Sequence, residues 1–152
     1  MRRGYLFGLI ALALVVFVVV GGLLARAFSV GGAEQSAITA VLQAEARGDP
    51  AAIVSRIKAC GQSAACRSRA ATNASALRNP GQVTVIKLDQ SAGFSFGSTL
   101  GTARVAWRIG GGLPIVQCVK VRRAGNLLSG LRVELLEISR RIKSDHACPA
   151  RY

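Results

Sequence analysis

Residues 4–25 run GYLFGLIALALVVFVVVGGLLA, with no charged side chain anywhere in the stretch. At about 1.5 Å per helical residue such a run reaches roughly 33 Å, enough to cross the hydrocarbon core of a bilayer. Arg2 and Arg3 precede it and Arg26 alone follows. The positive-inside bias therefore predicts a cytoplasmic N-terminus and a C-terminal domain outside the cell membrane. A cleaved signal peptide is the rival reading. It has an apolar core of about 7–15 residues and a small-x-small cleavage site. Ala25-Arg26-Ala27 has that shape, but the apolar core here is longer. Either way the remainder of the chain is exported. Leu9 stands where a type IV pilin leader needs glutamate, and no cysteine closely follows the run, which argues against a lipoprotein anchor.

The organisation that follows is an anchor over 1–27, a linker of small residues over 28–32, a folded domain over 33–143 and a tail over 144–152. About 125 residues follow the anchor, the size of one domain with a core of its own. Of 20 basic residues only Arg2, Arg3 and Arg26 lie at the anchor, and all 7 acidic residues come after it. The exported part is therefore strongly basic and attracts anions: phospholipid headgroups, envelope polymers, nucleic acid or an acidic protein face.

From Ala33, the residues Ile38, Val41 and Leu42 form a helical stripe. Glu34 near its start and Arg47 near its end suit the helix dipole, and Gly48 is a stop signal. Asp49-Pro50 reads as an N-cap with proline at the first helical position. The second helix carries Ile53, Val54 and Ile57 and is expected to end near Gly61. An alanine-rich third helix is expected over 64–77, closed by the turn Asn79-Pro80-Gly81. Asn73-Ala74-Ser75 fits a glycosylation triplet, a pattern common by chance.

Beyond that turn the apolar period changes to two. Val83, Val85 and Leu88 mark a first strand, and Val105, Trp107 and Ile109 alternate with Arg104, Ala106 and Arg108 in a second. Gly110-Gly111-Gly112 is a hairpin turn; a phosphate cradle would open a helix and carry a lysine. Ile115, Val119 and Val121 then alternate with Lys120 and Arg122. After Gly125-Asn126, Leu131, Val133 and Leu135 oppose Arg132 and Glu134, and Leu135-Leu136 predicts a bulge. Turns this short predict an antiparallel sheet with its apolar face on the helices, an α+β fold.

Helices first and a curling four-stranded antiparallel sheet after them resemble the nuclear-transport-factor-2-like, or cystatin-like, α+β roll, a cone-shaped fold. The resemblance covers residues 33–143. It rests on the helix pair broken at Arg47-Gly48-Asp49-Pro50, on the strand RVAWRI and on the hairpin VQCVKVRR…LRVELLEIS. It implies a superfamily with membrane-anchored exported members in bacteria, some accompanying lipid-import machinery. It also implies dimer formation through the sheet in related rolls. No single activity follows from the architecture.

Four cysteines in an exported domain predict two disulfides. Three pairings are possible; Cys60 and Cys66 flank the break between the second and third helices and are close enough to bridge, and that choice would leave Cys118 with Cys148 and pin the tail to the sheet's outer face. A metal reading would add His146, but C-x5-C followed by a distant H-x-C matches no zinc spacing. No metal or cofactor is expected.

Enzymes of the roll, such as isomerases and dehydratases, place acids, histidines or tyrosines inside the cone. Here Tyr5 lies in the anchor, Tyr152 ends the chain, His146 sits in the tail, Asp89 ends a strand and Glu134 should face outward, paired with Arg122 or Lys120. The expectation is a non-catalytic binding or assembly module. Arg104, Arg108, Lys120, Arg122 and Arg132 share the outer sheet face, continued by Arg140, Arg141 and Lys143. Its expected partners are an acidic protein, lipid headgroups or an envelope polymer. Nucleic acid is disfavoured because no aromatics interleave the cations. Two alternatives are a carrier of a small apolar ligand, with Phe94 and Phe96 as a lid over the cone, and an isomerase- or dehydratase-like enzyme.

Overall fold

The computed structural model describes residues 2–90, 99–126, 130–143 and 147–148. Its chain divides into two units, Met1–Gly32 and Ala33–Tyr152. Helix α1 is assigned over Arg2–Arg47. Residues 28–32, expected as a linker, are therefore helical. Their glycines weaken a helix by only about 1 kcal/mol each relative to alanine, too little to interrupt its hydrogen-bond ladder. Within the apolar run, side chains are described for Gly8 and residues 10–22, and all are exposed, Phe17 at 76%. The rest of the run lies outside the described side chains. Among the described residues no helix is both long and apolar enough to cross a membrane.

In the second unit Ile38, Val41 and Leu42 are buried, as the stripe predicts. The helix stops in a Schellman arrangement. The Gly48 N–H donates to the Glu45 carbonyl at 2.9 Å and the Asp49 N–H to the Ala44 carbonyl at 3.0 Å, with Gly48 at φ +70. Asp49 then caps α2 (Pro50–Arg56), its Oδ1 accepting from the Ala52 N–H at 2.9 Å. This helix ends sooner than its periodicity predicts. Ile57 turns extended and bridges Leu135, and the Lys58 N–H donates to the Leu135 carbonyl at 2.7 Å. A 3-10 turn over Cys60–Gln62 follows, and Ser63 caps α3 (Ala64–Leu77). Ala70, Asn73, Ala74 and Leu77 form the buried stripe of α3.

The fold is α+β, with a sheet in the order β1 (Val83–Gln90), β2 (Thr99–Ile109), β3 (Ile115–Asn126) and β4 (Gly130–Ile138), every neighbouring pair antiparallel. On its inner face Ala103, Val105, Trp107 and Ile109 join Val119, Val121, Leu135 and Ile138 in one core with the apolar stripes of the helices. Two bulges keep the alternation in phase. The β1–β2 register skips Ile86, so Val83, Val85 and Leu88 share the half-buried side. The β3–β4 register skips Leu136, so Leu135 and Ile138 both turn inward; this is the bulge that Leu135-Leu136 predicts.

Both expected disulfides are formed, Cys60–Cys66 with Cα atoms 5.3 Å apart and Cys118–Cys148 with 5.7 Å. All four cysteines are thereby consumed, which removes the thiolates that a metal reading needs. After β4 the chain keeps to the side of β3: the Ser139 N–H donates to the Cys118 carbonyl and the Ile142 N–H to the Val116 carbonyl, each at 2.8 Å. Val116 and Cys118, on the face expected to be wet, are consequently buried, and the second bridge brings Cys148 onto that face.

Candidate functional site

The sheet's outer face is built by strand alternation. Register sets Arg104 opposite Cys118, Arg122 opposite Glu134 and Lys120 opposite Glu137, all on the side away from Trp107 and Val119. Arg108 falls on the same side of β2, opposite Thr84, and Arg132 on the same side of β4, opposite Ala124. The five predicted cations therefore share one face but are spread along it, Arg108 near the Ile115 end and Arg132 near the opposite end. Acids interleave them: Arg122 and Lys120 each stand 3.8 Å from a carboxylate, of Glu134 and Glu137 respectively, and Asp89 pairs with Lys87 at 3.0 Å. Glu134 takes its closer partner from off the sheet, the Lys58 ammonium at 2.5 Å. That hydrogen bond is the main cause that holds the Glu134 carboxyl below its ordinary range, with the charges of Lys58, Arg122 and Arg132 assisting against some desolvation. Leu100 lies on this face, opposite Arg122 and 65% exposed. Arg140, Arg141 and Lys143 are exposed or nearly so beyond β4. Phe94, Phe96 and His146 lie outside the described residues.

Inside the core is a polar cluster of which only Glu45, on the apolar stripe of α1, gives a sign in the sequence. Asn73 Nδ2 donates to Glu45 Oε1 at 2.7 Å and to the Ser139 carbonyl at 3.0 Å. Gln117 Nε2 donates to the same carbonyl at 3.1 Å, and Trp107 Nε1 donates to Gln117 Oε1 at 2.8 Å. The Ser139 hydroxyl accepts from the Cys118 N–H at 2.9 Å. All five side chains are buried, and Glu45 Oε2 has no hydrogen-bond partner among the described residues. Burial pushes the Glu45 carboxyl up to about 7, against the lowering effect of the Asn73 and Gln117 amides. A carboxyl poised there suits proton transfer. Through these bonds the five residues join α1, α3, the sheet and the start of the tail. The signal was present in the sequence: Glu45 continues the 38, 41, 42 stripe, and a carboxylate on an apolar face demands a partner. Asn73, the residue of the glycosylation triplet, is 2% exposed and supplies that partner.

A second buried acid, Glu34, receives Arg123 Nε at 2.8 Å. Arg123 has the odd parity of Val119 and Val121, which turns it inward, apart from the outer cations. A groove of about 480 Å³ runs between α1, the α2 end and β4 at Glu134. Another, of about 620 Å³, lies between the end of α1 and the α3–β1 connection. No known protein family, curated protein or solved structure matches the chain.

Proposed function

We propose that this chain is a single-pass membrane protein whose exported α+β domain, a cone-shaped roll of the nuclear-transport-factor-2-like kind, works as a non-catalytic binding or assembly module. The observation that carries the reading is the outer sheet face, where Arg104, Arg108, Lys120, Arg122 and Arg132 are spread over three adjacent strands, with the exposed Leu100 beside Arg122. A surface of mixed sign with cations in excess and one exposed leucine suits an acidic protein surface, anionic headgroups, an envelope polymer or a second copy of the chain. The exposed apolar side chains of residues 10–22 support the anchor, and the pairing of all four cysteines supports an oxidising compartment. A ligand inside the cone has less support, because Trp107, Val105, Gln117, Val119 and Val121 fill the inner face with side chains.

The test is photo-crosslinking in intact cells from residue 108 or 132 of the full chain. Discrete adducts are expected from both positions, lost when Arg104 and Arg122 are changed to glutamate, and absent from the exposed helical position Ser75. Equal adducts from Ser75, or none from the sheet, would overturn the reading. External protease should digest the C-terminal domain; protection there would remove the topology.

A further inference from the structure

The groove of about 620 Å³ is walled by the last turn of α1 and by residues 78–83, two segments tied together where the Asn79 N–H donates to the Ala46 carbonyl at 3.0 Å. Arg47 comes from one wall and Arg78 from the other, and no acidic side chain lines the space. Neither arginine joins an ion pair among the described residues. The ordinary role for cations at this position is to cap the end of a helix. The carbonyls of Ala44, Glu45 and Ala46 already accept from the backbone N–H groups of Asp49, Gly48 and Asn79, so neither arginine is needed to satisfy them. The neighbouring Asp49 is engaged as the cap of α2. Arg78 is also held in place, for its stem packs over Gly48 so closely that a Cβ there would stand 2.8 Å from Arg78 Cδ.

We propose that this groove binds a phosphate group, gripped between the guanidinium groups of Arg47 and Arg78. Two like charges held on opposite walls repel one another until an anion lies between them. A carboxylate is satisfied by one bidentate arginine, whereas a tetrahedral phosphate offers oxygens to both. Gln43, Asn79 and Gln82, which carry amide donors, also line the groove, as do the apolar Ala46 and Val83. The site lies apart from the outer sheet face and does not rest on the function proposed for that face.

The experiment is calorimetric titration of the full chain in an uncharged detergent at fixed ionic strength, with inorganic phosphate and, separately, with short-chain phosphatidic acid. Saturable binding at one site is expected for at least one probe. Arg47→Gln and Arg78→Met should each weaken it about tenfold or more, as loss of a charge-assisted contact does; the methionine keeps the apolar stem over Gly48. Arg56→Gln, which removes an exposed charge outside the groove, should leave it unchanged. Similar affinity for both probes marks a free phosphate or its ester as the ligand, and a clear preference for phosphatidic acid marks a lipid headgroup. No saturation with either probe, or an equal loss in Arg56→Gln, would overturn the proposal.

Discussion

Glu45 concentrates the energetics of this domain in one carboxyl. Its folded value of about 7 lies above the ordinary 4.5, so on raising the pH the unfolded chain releases this proton first while the folded chain keeps it. Stability should therefore be flat below about pH 4.5, fall as pH rises from there through 7, and settle roughly 3 kcal/mol lower above pH 8. Urea denaturation across that range measures the slope, and Glu45→Gln should flatten it. Glu134 works in the opposite sense. Its carboxyl is lowered by Lys58, so its contribution is intact above about 4.5 and is lost as the pH falls through its folded value. The two windows do not overlap, and a single pH series separates them. Asn73→Ala should cost about 2–4 kcal/mol, because it strips Glu45 Oε1 of its donor in a dry core and takes one of two donors from the Ser139 carbonyl.

Among the elements, the joint between α1 and α2 is the most local in its causes. Gly48→Ala forces a left-handed alanine against the Arg78 stem and should destabilise the domain by about 1–2 kcal/mol, and Asp49→Ala by about 1 kcal/mol through the lost cap. Both follow from residues that also announce the joint in the sequence. Gly48, Asp49, Pro50 and the Asn79-Pro80-Gly81 turn act on their immediate neighbours, and the doubled leucine at 135–136 signals its own bulge. What escaped the sequence depends on residues far away along the chain. The end of α2 is set by Leu135, which draws Ile57 into an extended bridge. The partner of Glu134 is Lys58, reached through that same bridge and not across the hairpin alone. The bulge at Ile86 shows in the sequence only as the change of parity from Val83 and Val85 to Leu88, and Glu45 marks a buried acid without naming its partners, which come from other elements. Periodicity reports which face is buried and is silent about which polar group inside that face answers another.

At the scale of the whole molecule the two disulfides divide the work unequally. The bridge at Cys118–Cys148 closes a span of 30 residues and should contribute roughly 3–4 kcal/mol by loop-closure entropy, against about 2 kcal/mol for Cys60–Cys66, which spans 6. Equilibrium denaturation of the paired variants Cys118→Ser/Cys148→Ser and Cys60→Ser/Cys66→Ser should rank them in that order, with the first also exposing Val116 to solvent. The difference in span has a consequence for how the protein is made. Cys60 and Cys66 can meet once a short stretch has been made, whereas Cys118 must wait, reduced, for a partner 30 residues further along the chain. During that interval its thiol is open to attack on the bond already closed, so correct maturation calls for a catalyst that reshuffles mispaired sulfurs, and yields in a host lacking one should fall while the early bridge still forms.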